Sequence, residues 1–166
     1  MKKCMILVLA ALSFATPALA TTPETDATAK LQAALIIKLL PFYNNLGDKS
    51  FTIHVVGAPE VAAQLKGAIG KKTGKAQLAN VTSSDGLPSG STDIIYIGSG
   101  APDGIAYAQK NKILSITGNP DFVAKGVTLG IGVENNKPKI FLNLSSSKAE
   151  GVDWNPAILR VAQTVS

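Results

Sequence analysis

The sequence predicts an α/β fold: a mainly parallel sheet flanked by helices, finished by a C-terminal antiparallel hairpin and a closing helix. Three observations carry this. Strand-like and helical segments alternate from residue 51 to residue 125, an order that implies parallel strands joined by helical crossovers. The run Asp93-Ile-Ile-Tyr-Ile97 has the unbroken apolar character of a strand buried on both faces. Near the C-terminus, two strand-like runs flank Asn135-Asn136-Lys137-Pro138, a hairpin signature.

The first twenty residues stand apart from the fold. Lys2 and Lys3 precede an apolar run over 5–14, then the helix-breaking Pro17 and the small residues of Ala18-Leu19-Ala20. This is the three-part layout of a secretory signal peptide, expected to be cleaved after Ala20. The apolar run is too short for an anchor, which needs about 20 such residues. Cys4 leaves with the peptide. Residues 21–26 are polar with a proline and read as a loose leader; residues 27–166 read as one domain.

Over 27–46, Leu31, Ala34, Leu35, Leu39, Phe42 and Leu46 recur at helical spacing, while Ile36, Ile37 and Leu40 add apolar cover, so this helix should be largely buried. Pro41 should kink it or stop it early. A strand runs from Phe51 to Gly57, a helix over 60–69, a short strand over 76–81, and a Ser/Gly/Asp/Pro-rich loop over 82–92. After the strand 93–97 come a Gly98-Ser99-Gly100 turn, a helix over 105–112, a strand over 113–117 and a helical turn over 120–125. Strands at 127–134 and 139–144 form the hairpin, and 154–165 reads as the closing helix, with Pro156 acceptable in its first turn.

Removing the first 20 of 166 residues leaves 146, enough for one domain that buries about two-thirds of the surface its unfolded chain exposes. The same cut leaves fourteen basic residues against eleven acidic ones, a net charge of +3. Only Lys71, Lys72 and Lys75 cluster. A nucleic-acid binder shows a basic stripe with neighbouring aromatics, so no nucleic acid partner is expected. No cysteine follows Cys4, which rules out disulfides, thiol catalysis and cysteine–zinc sites in the exported chain.

No catalytic set emerges. His54, the single histidine, sits mid-strand without a ligand-spaced Cys, Asp or Glu, the setting of a satisfied structural residue. Ser99, His54 and Asp103 make a formal triad, but Gly98-Ser99-Gly100 lacks the G-x-S-x-G elbow. The spacing Gly98-x-Gly100-x-x-x-Gly104 misses the dinucleotide fingerprint, with Pro102 where a free N–H is wanted, and Gly70-Lys71-Lys72-Thr73 lacks the earlier glycine of a P-loop. Asp85, Asp93, Asp103, Asp121 and Asp153 stand in loops and element ends, suiting caps and turns. No catalytic residue, metal or cofactor is therefore expected.

What remains is geometry. In an open α/β sheet, ligands lie beyond the carboxyl ends of the strands at a topological switch. Those ends are Gly57-Ala58, Gly98-Ser99-Gly100 and Gly118-Asn119, a candidate ligand crevice; the alternative is that the glycines serve only for turning. Phe42, Tyr43 and Trp154 are the candidate contact surface for a partner or a second copy of the chain.

The C-terminal third carries a resemblance. Leu114-Ser-Ile-Thr-Gly118, Pro120-Asp-Phe122, Gly126-Val-Thr-Leu-Gly-Ile, Lys139-Ile-Phe-Leu-Asn-Leu144 and Asn155-Pro-Ala-Ile-Leu-Arg-Val-Ala162 resemble the YfiR family's succession. There a strand ends in glycine, an "aF…G" turn follows, two strands come next, and a helix closes the chain. The front half, an apolar helix followed by a strand leading into Gly57, is consistent with it. The family's Trp-Pro motif after the first helix is missing, Pro41-Phe42-Tyr43 standing there, and so are the cysteines of several members; redox-linked regulation is not implied here. What the resemblance implies is a periplasmic, non-enzymatic regulator in cyclic-di-GMP signalling. It would bind the periplasmic part of an inner-membrane signalling protein, a diguanylate cyclase or sensor kinase, and repress it. A periplasmic small-ligand binder using the crevice is the alternative.

Overall fold

The computed structural model describes residues 23–134 and 137–165. The signal peptide, its cleavage site, Thr21-Thr22 and the hairpin tip Asn135-Asn136 lie outside the described residues. Helix α1 (Pro23–Leu39) begins inside the segment read as a leader, so residues 23–26 are helical. Ala29, Gln32, Ala33, Ile36 and Leu39 form its buried stripe, three and four residues apart as one helix face requires. Pro41 has no N–H to continue the ladder. The chain therefore tightens into 3₁₀ turns at Leu40–Phe42 and Asn44–Leu46 instead of running on as an α-helix.

The remaining elements are β1 (Ser50–Val56), α2 (Pro59–Lys66), β2 (Lys72–Thr73), β3 (Ala76–Ser84), β4 (Ile94–Ile97), α3 (Asp103–Asn111), β5 (Leu114–Thr117), α4 (Pro120–Ala124), β6 (Leu129–Glu134), β7 (Lys137–Asn143), α5 (Leu144–Glu150) and β8 (Gln163–Val165). They make one eight-stranded sheet in the order β2-β3-β1-β4-β5-β6-β7-β8. Strands β3, β1, β4, β5 and β6 are mutually parallel, as are β7 and β8; β2–β3 and β6–β7 are antiparallel. Crossover connections, helical except for the loop from β3 to β4, produce the parallel block, and the predicted hairpin adds β7 to it in the antiparallel sense.

Alternation along the strands divides the interior. Ile53, Val55, Ile94, Tyr96, Leu114 and Ile116 pack on the face carrying α1 and α2. Val56, Ile95 and Ile97 pack on the opposite face with Ala108 of α3 and Phe122 of α4. This period-2 division gives a three-layer α/β/α arrangement. Ile36, Ile94 and Leu114 are wholly buried, and truncating any one to alanine costs about 2–5 kcal/mol. A Cβ at Gly104 would lie 2.9 Å from the Ile97 side chain, so this glycine lets α3 seat closely on β4.

The C-terminus departs from expectation. No closing α-helix forms over 154–165. A 3₁₀ turn at Pro156–Arg160 leads into β8, which pairs parallel with β7 at Phe141↔Gln163, Leu142↔Thr164 and Asn143↔Val165. Pairing there fills the outer edge of β7, whose backbone groups a helix would have left unpaired. The closing α-helix lies earlier instead: α5, capped by the Asn143 side chain accepting from the Ser146 N–H at 2.9 Å and ended by Gly151 in the left-handed region. Its buried face is polar, formed by Ser146, Ser147 and Glu150. The loop expected over 82–92 also starts later, because β3 continues to Ser84.

Candidate functional site

The strand order creates the site. From central β1 the chain passes to β3 on one side, and β4 then lies on the other. Helices α2 and α3, which follow β1 and β4, cover opposite faces, so the carboxyl ends of β1 and β4 part at a topological switch. All seven predicted crevice residues meet there. Gly57 and Ala58 after β1, Gly98, Ser99 and Gly100 after β4, and Gly118 and Asn119 after β5 line one cleft of about 490 Å³. Thr28 and Gln32 of α1, Glu60 of α2 and Tyr96 of β4 complete its walls.

The glycines have separate physical reasons. Gly57 has φ +63°, a backbone state costly for other residues. Gly98 has no room: its N–H donates to the Val56 carbonyl at 2.8 Å, and a Cβ would overlap the Gly57 backbone. A Cβ at Gly118 would overlap Gln32 and Tyr96 side-chain atoms. Gly100 needs neither a positive φ nor space. Turning alone therefore explains only part of the glycine pattern.

Beneath the opening lies a buried polar pair. The Tyr96 hydroxyl donates to Gln32 Oε1 at 3.0 Å, and Gln32 Nε2 donates to the Ile131 carbonyl at 3.3 Å. Burial pushes the Tyr96 phenol well above its ordinary range and the nearby Glu60 charge adds to that, so it stays a neutral donor. Asn119 caps α4, its side chain accepting from the Asp121 N–H at 3.0 Å. Sequence reasoning missed Gln32, Tyr96 and Glu60. The available signal was Gln32 itself, a polar residue on the apolar stripe of α1.

The residues expected as a partner surface are partly drawn into the core. Tyr43 is buried, and Phe42 and Trp154 are half-buried against the main core. Tyr43 and Trp154 meet ring to ring at 5.7 Å and form an isolated antiparallel bridge, while Trp154 Nε1 donates to Ser147 Oγ at 3.1 Å. Burial, with the Asp93 and Glu150 charges, pushes the Tyr43 phenol up to about 12. These rings fasten the segment after α1 to the C-terminal segment. The large apolar side chains that are exposed among the described residues are Ile69, Leu87, Leu144, Leu159 and Val161.

His54 is a satisfied residue. Its Nδ1 lies 2.7 Å from Thr82 Oγ1 and its Nε2 3.0 Å from Ser84 Oγ, both on β3, so both ring nitrogens have partners on that strand. Among the described residues no three His, Cys, Asp or Glu side chains gather to hold a metal, and no helix is long and apolar enough to cross a membrane. One further group was not anticipated. Glu150, wholly buried at the end of α5, accepts from the Ser115 N–H at 3.0 Å and from the Ser115 hydroxyl. Ser115 Oγ in turn accepts from the Thr128 N–H at 2.9 Å. The carboxyl thus sits where β5 and β6 have not yet paired, since their ladder begins only at Ile116↔Leu129. Desolvation raises its pKa from 4.5 to about 7, partly offset by the hydrogen bonds from Ser115.

Residues 29–163 match the model of a family described as YfiR/HmsC-like. Two solved structures share the fold at low identity. A conserved domain protein from Vibrio cholerae superposes with a TM-score of 0.60 at 14% identity, covering 83% of this chain and 60% of that one. The ABC domain from Streptococcus pneumonia, solved in complex with L-Trp, gives a TM-score of 0.55 at 14% identity, covering 84% and 60%. The chain therefore spans about three-fifths of the length of each. No curated protein matches it.

Proposed function

The chain belongs to the YfiR/HmsC-like family, and from that membership we propose that it is a periplasmic, non-enzymatic regulator that binds the periplasmic part of an inner-membrane signalling protein and represses it. The partner is a diguanylate cyclase or a sensor kinase, and the regulator lowers its output by contact. The family match over residues 29–163 carries this reading. With Tyr43 and Trp154 consumed by internal packing, the contact falls to exposed apolar side chains. Two of these, Leu159 and Val161, come shortly before β8, and a third, Leu144, opens α5. Removing exposed apolar surface from water is the main favourable term in most protein–protein association. The test is affinity capture from detergent-solubilised inner membranes, comparing the wild-type chain with a Leu159→Asp/Val161→Asp double variant. Recovery of a membrane cyclase or kinase by the wild type and its loss with the variant support the reading. Recovery of no signalling receptor by the wild type sinks it.

A second reading is favoured by one observation: the seven strand-end residues line a single cleft of about 490 Å³, within the range of small-molecule sites. In this reading the chain is a periplasmic sensor that binds a small ligand there. A ligand at a hundredfold excess over Kd adds about 2.7 kcal/mol of stability, so a thermal-shift screen detects it and a flat screen removes it.

A further inference from the structure

The chemistry of the cleft narrows what it can hold; this step rests on the small-ligand reading above. Among the described residues that line it, Glu60 carries the sole formal charge, and no described lysine or arginine stands there to neutralise it. Glu60 stands in the first turn of α2, on the β1 side of the opening, close enough to the Tyr96 hydroxyl for its charge to oppose ionisation there. The Tyr96 hydroxyl hydrogen and one of the two Gln32 Nε2 hydrogens are already committed, to Gln32 Oε1 and the Ile131 carbonyl. The interior of the cleft therefore presents no unsatisfied cationic donor to an incoming anion. The open polar groups at the rim are neutral: the hydroxyls of Thr28 and Ser99 and the side chain of Asn119. A carboxylate with neutral hydrogen-bonding groups around it, in a space of about 490 Å³, complements an ammonium on a hydroxyl-bearing body and repels phosphates and carboxylates.

The geometry points to a site for a small hydroxylated primary amine of amino-sugar or amino-alcohol type, its ammonium held by Glu60 and its hydroxyls by Thr28, Ser99 and Asn119. No bond is made or broken; the cleft binds.

Three matched compounds isolate the charge: glucosamine, glucose and glucose 6-phosphate, titrated by calorimetry into the full exported chain and into Glu60→Gln, with amide shifts of Gly98 and Gly118 reporting the location. Glucosamine binds and moves those amides, Glu60→Gln weakens it about tenfold, the worth of one charge-assisted hydrogen bond, and glucose 6-phosphate does not bind. A Glu60 that served only the dipole of α2 would change the melting temperature but not the ratio of glucosamine to glucose affinity. The assignment is overturned if glucose 6-phosphate binds as tightly as glucosamine, if Glu60→Gln leaves glucosamine unchanged, or if glucosamine does not bind. A thermal-shift screen that responds to an anionic or apolar compound while amines stay silent ends the amine assignment alone, whereas a flat screen ends the small-ligand reading with it.

Discussion

Replacing Glu150 by glutamine removes the one wholly buried carboxyl among the described residues while keeping its shape and an acceptor for the Ser115 N–H. Its pKa moves from 4.5 to about 7 on burial, so the folded chain holds this proton more tightly than the unfolded chain does. The associated stability is fully present below pH 4.5 and is lost as pH rises through about 7. At 1.36 kcal/mol for each pH unit between the two values, the loss is about 3 kcal/mol. Urea unfolding followed by fluorescence of Trp154, the single tryptophan, reads this directly, because that ring leaves Tyr43 and Ser147 when the C-terminal segment detaches. Every other titrating group is common to both proteins, so the difference between wild type and Glu150→Gln isolates the carboxyl. Wild type should lose about 3 kcal/mol relative to the variant between pH 4.5 and 8, and the variant should be the more stable of the two at pH 8. A difference that stays constant within about 0.5 kcal/mol across that range would refute the argument, because the carboxyl would then have the same proton affinity folded and unfolded.

The glycines at the cleft separate by mechanism. Gly98→Ala, which drives a Cβ into the Gly57 backbone, and Gly118→Ala, which drives one into Gln32 and Tyr96, should each cost about 1–3 kcal/mol, with Gly98→Ala the larger because backbone yields less than side chains. Gly100→Ala meets nothing within 4 Å and should stay within about 0.5 kcal/mol of wild type by the same urea titration. Tyr43→Ala and Trp154→Ala in a double-mutant cycle should show a coupling of about 0.5–1.5 kcal/mol; no coupling would mean that the rings do not fasten the two segments and would reopen them as a contact surface.

Legibility in the sequence followed how each element is held. Strands β1, β4 and β5 are buried by apolar side chains, and their runs announced them within a residue or two. Helix α5 was invisible to the same reading because Ser146, Ser147 and Glu150 form its buried face: it docks by hydrogen bonds, so it has no apolar period to find. Its local signals are Asn143 as a cap and Gly151 as a stop. The opposite error fell on 154–165, where Ile158, Leu159 and Val161 suggested a helix face. Ile158 alone of the three is buried, and the demand of β7 for a partner decided the matter. Strand pairing between distant segments leaves no trace in local spacing. Residue type alone suggests a surface role for Trp154 and Tyr43, and their mutual contact across more than a hundred positions is likewise a tertiary fact.

The cleft shows why position was readable and chemistry was not. A glycine at the end of each parallel strand is a local feature, and the switch-point rule converts three such ends into one place. The walls come from elsewhere. Gln32 arrives from a helix 64 residues before Tyr96, and Glu60 enters because Gly57, at φ +63°, turns the chain sharply into α2. Since Gly98 and Gly118 exclude even a methyl group, the backbone itself forms the inner surface between β1, β4 and β5, and backbone brings dipoles but no net charge. The electrostatic character of the cleft is thereby left to the few side chains at its rim, of which one among the described residues carries a formal charge. Replacing Glu60 by glutamine therefore removes the one formal charge among the described lining side chains while leaving Gly98 and Gly118 in place, so the proposed charge preference and the stability can be tested apart.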